Sequence, residues 1–340
     1  MKELCYTGTW YKELQFDSLR EFLEFCFWGK NGQNEYEGFS HMVFRGHSCA
    51  NGYKLSPTAL RLKDNRPPII DYHPAIKEIQ LGTITVDHVI EAEYHSLLKF
   101  HKISNQNGLY VPAGSFFYED ILVNEFAFTY ENLSEWYPSE LNELAALARH
   151  YGYPTRLLDW TFDIQVALYF ALQGVNNALW KNTHRNKDEK DIDVEPFYAI
   201  WCVNPGAIQQ MEKESFNDQT PPPCPIKFYV PRYLRNDNLR AQSGLLSYHK
   251  VNHSSASHNI NTVYVEETQD QVILKYIDLI NRKYRNHQSD GVLICKVLIP
   301  TADAKSEFHW LINQGYHAAR LFPGYKGVIQ KIEEDRWTND

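Results

Sequence analysis

The sequence predicts an α+β, or mixed α/β, fold with a central, mostly antiparallel or mixed sheet flanked by helices. Three observations carry this expectation. Helical periodicity alternates with short β-prone runs, without the strict spacing of βαβ units, which argues against a doubly wound sheet. The 340 residues, 43 % hydrophobic and 22 % charged, suffice to bury a core in one large domain or two small ones. No internal repeat divides the chain, and the proline-rich run Thr220–Pro225 is only a weak candidate boundary.

The elements follow in order. Asp17 to Trp28 reads as an amphipathic helix, with Asp17 as cap and Leu19, Phe22, Leu23 and Cys26 on one face. Gly29 and the polar run to Gly38 end it, so residues 1–38 are expected to be an N-terminal helical segment ahead of a domain over 39–335. His41 to Phe44 is a buried strand that delivers Arg45 and Gly46 at its end. Pro57, Pro67 and Pro68 mark an irregular stretch. Ile84 to Phe100 is helical through Val89, Ile90, Leu97 and Leu98. Ser139 to Tyr151 is the clearest helix, capped by Ser139, striped by Leu141, Leu144, Ala145 and Ala148, and stopped by Gly152 and Pro154. Asp163 to Leu172 forms another, with Val166, Ala167, Phe170 and Ala171 inward. The polar run Lys181–Glu195 is an exposed loop, Phe197–Val203 a strand, and the Ser-, His- and Asn-rich run Asn252–Asn261 a mobile loop. Gln271–Tyr284 is a helix, Gly291–Ile299 a strand, and Ala302–Asn313 a helix stopped by Gly315.

Composition excludes several classes. A net charge of −8 lacks the global basic footprint of a duplex nucleic-acid binder, although a local basic groove is compatible with it. Cys5, Cys26, Cys49, Cys202, Cys224 and Cys295 are scattered and form no CxxC pair, as suits a reducing cytoplasm rather than a disulfide framework or zinc finger. The N-terminus has no apolar h-region, and no apolar run is long enough to span a bilayer, so a cytoplasmic protein without membrane partners is expected. The 22 Tyr and 8 Trp supply apolar surface with polar tips, useful as core filler and as pocket lining.

There is no Walker A loop, no GxGxxG after a strand, no HExxH and no GxSxG elbow. Two positive signals remain. Phe44-Arg45-Gly46-His47-Ser48 places an arginine fork, which fits phosphate or carboxylate, at a strand end, and Gly46 permits close approach of a backbone or ligand. The competing reading is a structural Arg–carboxylate pair. The denser signal is His150-Tyr151-Gly152-Tyr153-Pro154-Thr155-Arg156-Leu157-Leu158-Asp159-Trp160-Thr161, at the junction of two expected helices. A helix starting near Thr161–Asp163 would offer free N–H groups to an anion. Arg156 would add a fork, and Tyr151, Tyr153 or Trp160 a stacking face. The structural alternative pairs Asp159 with Arg156 and buries Trp160 in the core.

Arg240-Ala241-Gln242-Ser243-Gly244-Leu245-Leu246-Ser247 is a weaker third signal, with a sharp turn expected at Gly244. His249, His253 and His258 follow without any cysteine, and no metal site is expected. Glu91 and Glu93 lie two apart on a helix, so only one can face a pocket.

These motifs, with Leu55-Ser56-Pro57-Thr58-Ala59-Leu60-Arg61 and Leu321-Phe322-Pro323-Gly324-Tyr325-Lys326-Gly327-Val328-Ile329-Gln330-Lys331-Ile332, resemble the FRG-domain family in family order from about residue 40 to about 332. Leu246 stands where the family tends to have Phe, and Asp163-Ile164 where it has Asn-Pro; neither change touches the Arg, Thr or Asp of the motif. The resemblance implies an FRG-type domain over 39–335 and, distantly, a core similar to ADP-ribosyltransferases. Under that likeness Arg45, with Gly46 and His47, would hold the pyrophosphate or ribose of NAD. Thr155 and Thr161 would take the hydroxyl role, and Tyr151, Tyr169 or Trp160 would stack on nicotinamide, with His150 and Arg156 alongside. NAD would then be the substrate, cleaved through an oxocarbenium-like state, in a toxin or phage-defence effector that acts on a nucleic-acid or protein acceptor. Where such transferases place Glu, this chain has Gln242. Either another acid serves, Glu93 or Asp159, or the pocket binds without transferring.

Three readings therefore stand. One is an NAD-using ADP-ribosyltransferase or glycohydrolase. The second is a nucleotide- or nucleic-acid-binding module without turnover, using Arg45, Arg61, His150, Arg156 and Arg240. The last is a nuclease- or hydrolase-like enzyme with His47 or His150 as general base, which lacks a recognisable nucleophile or metal cluster.

Overall fold

The computed structural model describes residues 2–6, 11–28, 39, 41–51, 55–63, 66–79, 84–112, 135–136, 138–184, 192–213, 222–252, 268–283 and 293–339. In chain order the elements are β1 (Lys2–Tyr6), β2 (Tyr11–Gln15), α1 (Leu19–Trp28), β3 (Val43–His47), α2 (Val86–Gln106), β4 (Glu135–Trp136), α3 (Asn142–His150), β5 (Leu158–Thr161) and α4 (Ile164–His184). There follow β6 (Phe197–Val203), α5 (Pro205–Lys213), β7 (Ile226–Tyr229), α6 (Asp237–Ala241), β8 (Gly244–His249), β9 (Val251–Asn252), α7 (Gln269–Lys283), β10 (Ile294–Pro300), α8 (Ala304–Asn313), α9 (Ala318–Leu321) and α10 (Tyr325–Asn339).

Among the described residues, eight strands form one sheet in the order β1-β2-β10-β6-β3-β5-β8-β7, while β4 and β9 pair separately. The β10–β2 pair is parallel, and every other neighbouring pair in the large sheet is antiparallel. The fold is thus the mixed α+β class that the alternation of patterns implies.

Strand alternation sorts the side chains into layers. On β6, Tyr198, Ile200 and Cys202 join the core under α1, α4 and α8. Trp201 and Val203 point the other way, into the core under α5 and α7. A third cluster packs α2 and α3 against Leu246 and Tyr248 of β8. Cys26, Cys49, Cys202, Cys224 and Cys295 are free thiols. Among the described residues no helix is long and apolar enough to cross a membrane.

Several expectations are corrected in detail. The N-terminal segment contributes β1 and β2 as well as its helix, and β2 pairs with β10 nearly three hundred residues away, a partner that local periodicity does not reveal. The His150–Thr161 segment is not a bare helix junction: β5 occupies its end. Ser139 does not cap a helix; it opens a 3-10 turn after Pro138, its hydroxyl bonds Glu140, and α3 begins behind Leu141 without a side-chain cap. Helix α4 continues past Leu172 to His184, so Lys181–His184 is helical rather than loop. The polar run Gly29–Gly38 and the histidines His253 and His258 lie outside the described residues.

Gly46 matters for packing. A Cβ there would sit inside the Ala167 carbonyl, and one at Gly174 would press on Ser48. Helix α4 therefore lies directly against the β3 backbone and its extension. The close approach that Gly46 allows is by this helix. Gly46→Ala is expected to lower the unfolding free energy by about 1–3 kcal/mol in urea titration, the cost of overpacking a tight backbone contact; a variant as stable as the parent would contradict this account.

Candidate functional site

Strands β3 and β5 share one register pair, Phe44 with Thr161, and then diverge. Past that pair the ladder is replaced by a side chain: Arg45 Nη1 donates to the Asp159 carbonyl at 2.6 Å. Alternation along β5 sends Leu158 and Trp160 into the core and leaves Asp159 and Thr161 on the opposite face. A cleft of about 940 Å³ opens at this divergence.

The Asp159 carboxylate organises the floor of the cleft. Arg149, in the last turn of α3, donates to it from Nη2 at 2.7 Å and from Nε at 3.1 Å, a two-pronged pair. Arg45 Nη1 lies 4.0 Å from the same carboxylate. Arg149 also donates to the Thr58 hydroxyl at 2.5 Å, which ties the loop carrying Arg61 to the floor. Burial opposes ionisation of Asp159, but the charges and hydrogen bonds of Arg149, then Arg45, outweigh it and hold the carboxyl below its usual range. Asp159 in turn raises the pKa of Arg149. Arg45 responds differently: burial pulls it down to about 10, Arg149 and Arg61 push the same way, and Asp159 resists.

Around this floor the cleft is lined by Arg45, Gly46, His47, His150, Tyr151, Asp159, Trp160, Thr161 and Gln242, all picked out in the sequence. Arg45 Nε donates to His47 Nε2 at 3.1 Å. Burial lowers the pKa of His150, although Asp237 and Asp159 pull it upward. Its ring meets that of Tyr151 edge-on at 4.9 Å, and Tyr151 is 72 % exposed, next to Gly152 at φ +82°. Thr161 Oγ1 donates to the Gln242 carbonyl at 2.7 Å, and Gln242 Nε2 donates to the Leu321 carbonyl at 3.0 Å, so the third motif and the C-terminal region form one wall.

The remaining expected site residues lie elsewhere. Glu93 is buried on α2 and bound by Arg156 Nε at 2.7 Å and Trp136 Nε1 at 2.9 Å. Arg156 also donates to the His249 carbonyl at 3.2 Å. Glu93 and Arg156 thus neutralise each other inside the protein and do not line the cleft; Asp159 pairs with Arg149 rather than with Arg156. Thr155 is buried beside them, its hydroxyl accepting from Leu157 N at 3.4 Å. Tyr169 is fully buried under α10, its hydroxyl donating to Glu334. Trp160, although it borders the cleft, keeps its indole in the core, donating to Ser247 Oγ at 2.7 Å and packing on Phe228, so it offers no stacking face.

Two local expectations also change. The N-terminus of α4 is closed to an outside anion, because Asp163 N bonds Thr161 Oγ1 and Gln165 N bonds the Asp163 carboxylate, each at 2.9 Å. The sharp turn in the third motif falls on Ser243, at φ +47°, while Gly244 is needed because a Cβ there would meet Leu239.

The sequence motifs gave no site role to Arg149, Thr58, Phe170, Gln173, Phe322 or Lys326, which all line the cleft. Arg149 stood immediately before the conspicuous His150, and a basic residue in a last helical turn reads as dipole compensation. Among the described residues, no group of three or more His, Cys, Asp or Glu is placed to hold a metal ion.

The family model of the FRG domain matches residues 40–178, a span that holds Arg45, Thr58, Arg61, Arg149 and Asp159. No curated protein and no solved structure matches the chain.

Two outcomes follow for the buried polar cluster. Glu93→Ala leaves the Arg156 charge unpaired in the interior and should cost about 3–5 kcal/mol of stability in urea unfolding; a loss under about 1 kcal/mol would contradict the buried pairing. His249 is buried beside Arg156, and burial first, then that charge, depresses its pKa from 6.5 to about 3. The unfolded chain protonates this histidine below about 6.5 while the folded state does not, so stability falls as pH drops from about 6.5 toward 3, by up to about 1.4 kcal/mol per unit. Urea midpoints measured across that window should decline less steeply in His249→Gln, and equal slopes would refute the assignment.

Proposed function

We propose that the cleft at the β3–β5 divergence of this chain, whose residues 40–178 match the FRG domain, binds NAD or a related nucleotide through its phosphates. One observation carries the reading. In a chain of net charge −8, the described residues that line the cleft include four cationic side chains, Arg45, Arg61, Arg149 and Lys326, against two acids, Asp159 and Asp237. Such a concentration of guanidinium groups around one carboxylate favours a phosphate-bearing ligand. The volume of about 940 Å³ lies at the upper end of ordinary ligand sites, roughly 300–1,000 Å³, and accommodates a dinucleotide.

The enzymatic form of the proposal is an ADP-ribosyltransferase or NAD glycohydrolase acting as a toxin or phage-defence effector. Departure of nicotinamide builds positive charge on the ribose, which calls for a carboxylate held ionised nearby. Asp159 is the carboxylate on the cleft floor, and its arginine partners keep it ionised. Those same partners already neutralise it, which favours the second reading, a nucleotide-binding module without turnover.

Calorimetric titration with NAD should show binding that weakens about tenfold or more in Arg45→Ala, as expected for losing a charge-assisted hydrogen bond, and that weakens further as salt rises. Absence of binding by NAD, ADP and inorganic pyrophosphate alike would end the proposal. Nicotinamide release from NAD in cell extract separates the two forms: release supports the enzyme, and none at saturating NAD supports the binding module.

A further inference from the structure

Beside the arginines the cleft wall carries a different chemistry, supplied by α4 and the α9–α10 turn. Val166, Ala167, Phe170, Gln173 and Gly174 line the cleft at intervals of one helical turn, and Phe322, Pro323 and Lys326 line it from the C-terminal region. The Phe170 and Phe322 rings meet edge-on, centroids 6.0 Å apart at 81°, and both are half-buried. Their wall is braced by the Gln242-to-Leu321 hydrogen bond and by Tyr316, whose hydroxyl donates to Asp163 at 2.9 Å.

The geometry points to a planar-ring subsite at Phe170 and Phe322, in the same cleft as the arginine group. The subsite rests on the nucleotide reading above and specifies it: the ligand joins phosphate to a flat heteroaromatic ring. The expected stacking residues Trp160 and Tyr169 are spent in the core, so the ring needs another partner. Edge-to-face rings leave an aromatic face for a base to stack upon. Gln173 places an amide with both donor and acceptor at the same wall, suited to a base edge, and Lys326 adds a donor. A phosphate or pyrophosphate alone would fill only a fraction of about 940 Å³.

The test compares two probes, inorganic pyrophosphate and ADP, by calorimetry on the full chain and on Phe322→Leu, which keeps apolar bulk and removes the ring. ADP should bind the parent chain at least about tenfold more tightly than pyrophosphate, a typical stacking contribution. Phe322→Leu should lose about tenfold for ADP and change less than twofold for pyrophosphate. Equal losses for both probes, or no loss for ADP, would overturn the ring subsite while leaving the phosphate reading intact. Should Phe322→Leu fail to fold, the parent chain still decides, because ADP binding no tighter than pyrophosphate overturns the subsite. Failure of both probes to bind overturns this subsite, and if NAD fails to bind as well the nucleotide reading falls with it.

Discussion

The carboxylate of Asp159 sits between two guanidinium groups at the point where the central sheet comes apart. Burial first, and then the like charge of Arg149, disfavour the ionised form of Arg45; Asp159 opposes this, raises the pKa of Arg149, and is itself kept ionised by both arginines. The arrangement depends on the β3–β5 divergence. If the two strands stayed paired, the Asp159 carbonyl would bond a neighbouring strand instead of Arg45, and no cleft would open there. It depends also on Gly46, which lets α4 press on β3 and form the cleft's second wall.

Two arginine–carboxylate systems in one short motif have opposite characters, and exposure separates them. The Arg156–Glu93 side chains are 5 % and 3 % exposed, with Trp136 and the His249 carbonyl completing their hydrogen bonds. No room is left for a ligand, and the pair acts as a strut between α2, the loop before β5 and the end of β8. The Asp159 side chain is 39 % exposed, so the charges it gathers still face the cleft. Desolvated charges at the first site hold the fold, whereas partly solvated ones at the second remain able to exchange partners.

Much of this was legible in the sequence, for identifiable reasons. The order of patterns indicated the fold class, and the strand at Phe44–Arg45 and the turn at Gly152 follow from local preferences that the tertiary structure leaves intact. The cleft residues Arg45, Asp159 and Gln242 were marked by the polar, aromatic character of their motifs. Partner choice was not legible. Arg156 lies three residues before Asp159 yet binds Glu93, sixty-three residues away, because it sits in the loop before β5 against α2 while Asp159 sits on the strand at the cleft. Trp160 and Tyr169 look like ligand aromatics in one dimension; alternation on β5 and the face of α4 under α10 commit both to the core. The wall formed by Phe322 and Lys326 comes from the far end of the chain, where only the packing of α9 and α10 brings it to the site.

A crystal structure with NAD soaked into the cleft tests the central claim most directly. The account predicts diphosphate density within hydrogen-bond distance of both the Arg45 and Arg149 guanidinium groups, beside the Asp159 carboxylate. A dinucleotide bound outside the cleft, or inside it with its phosphates turned away from both arginines, would contradict the account.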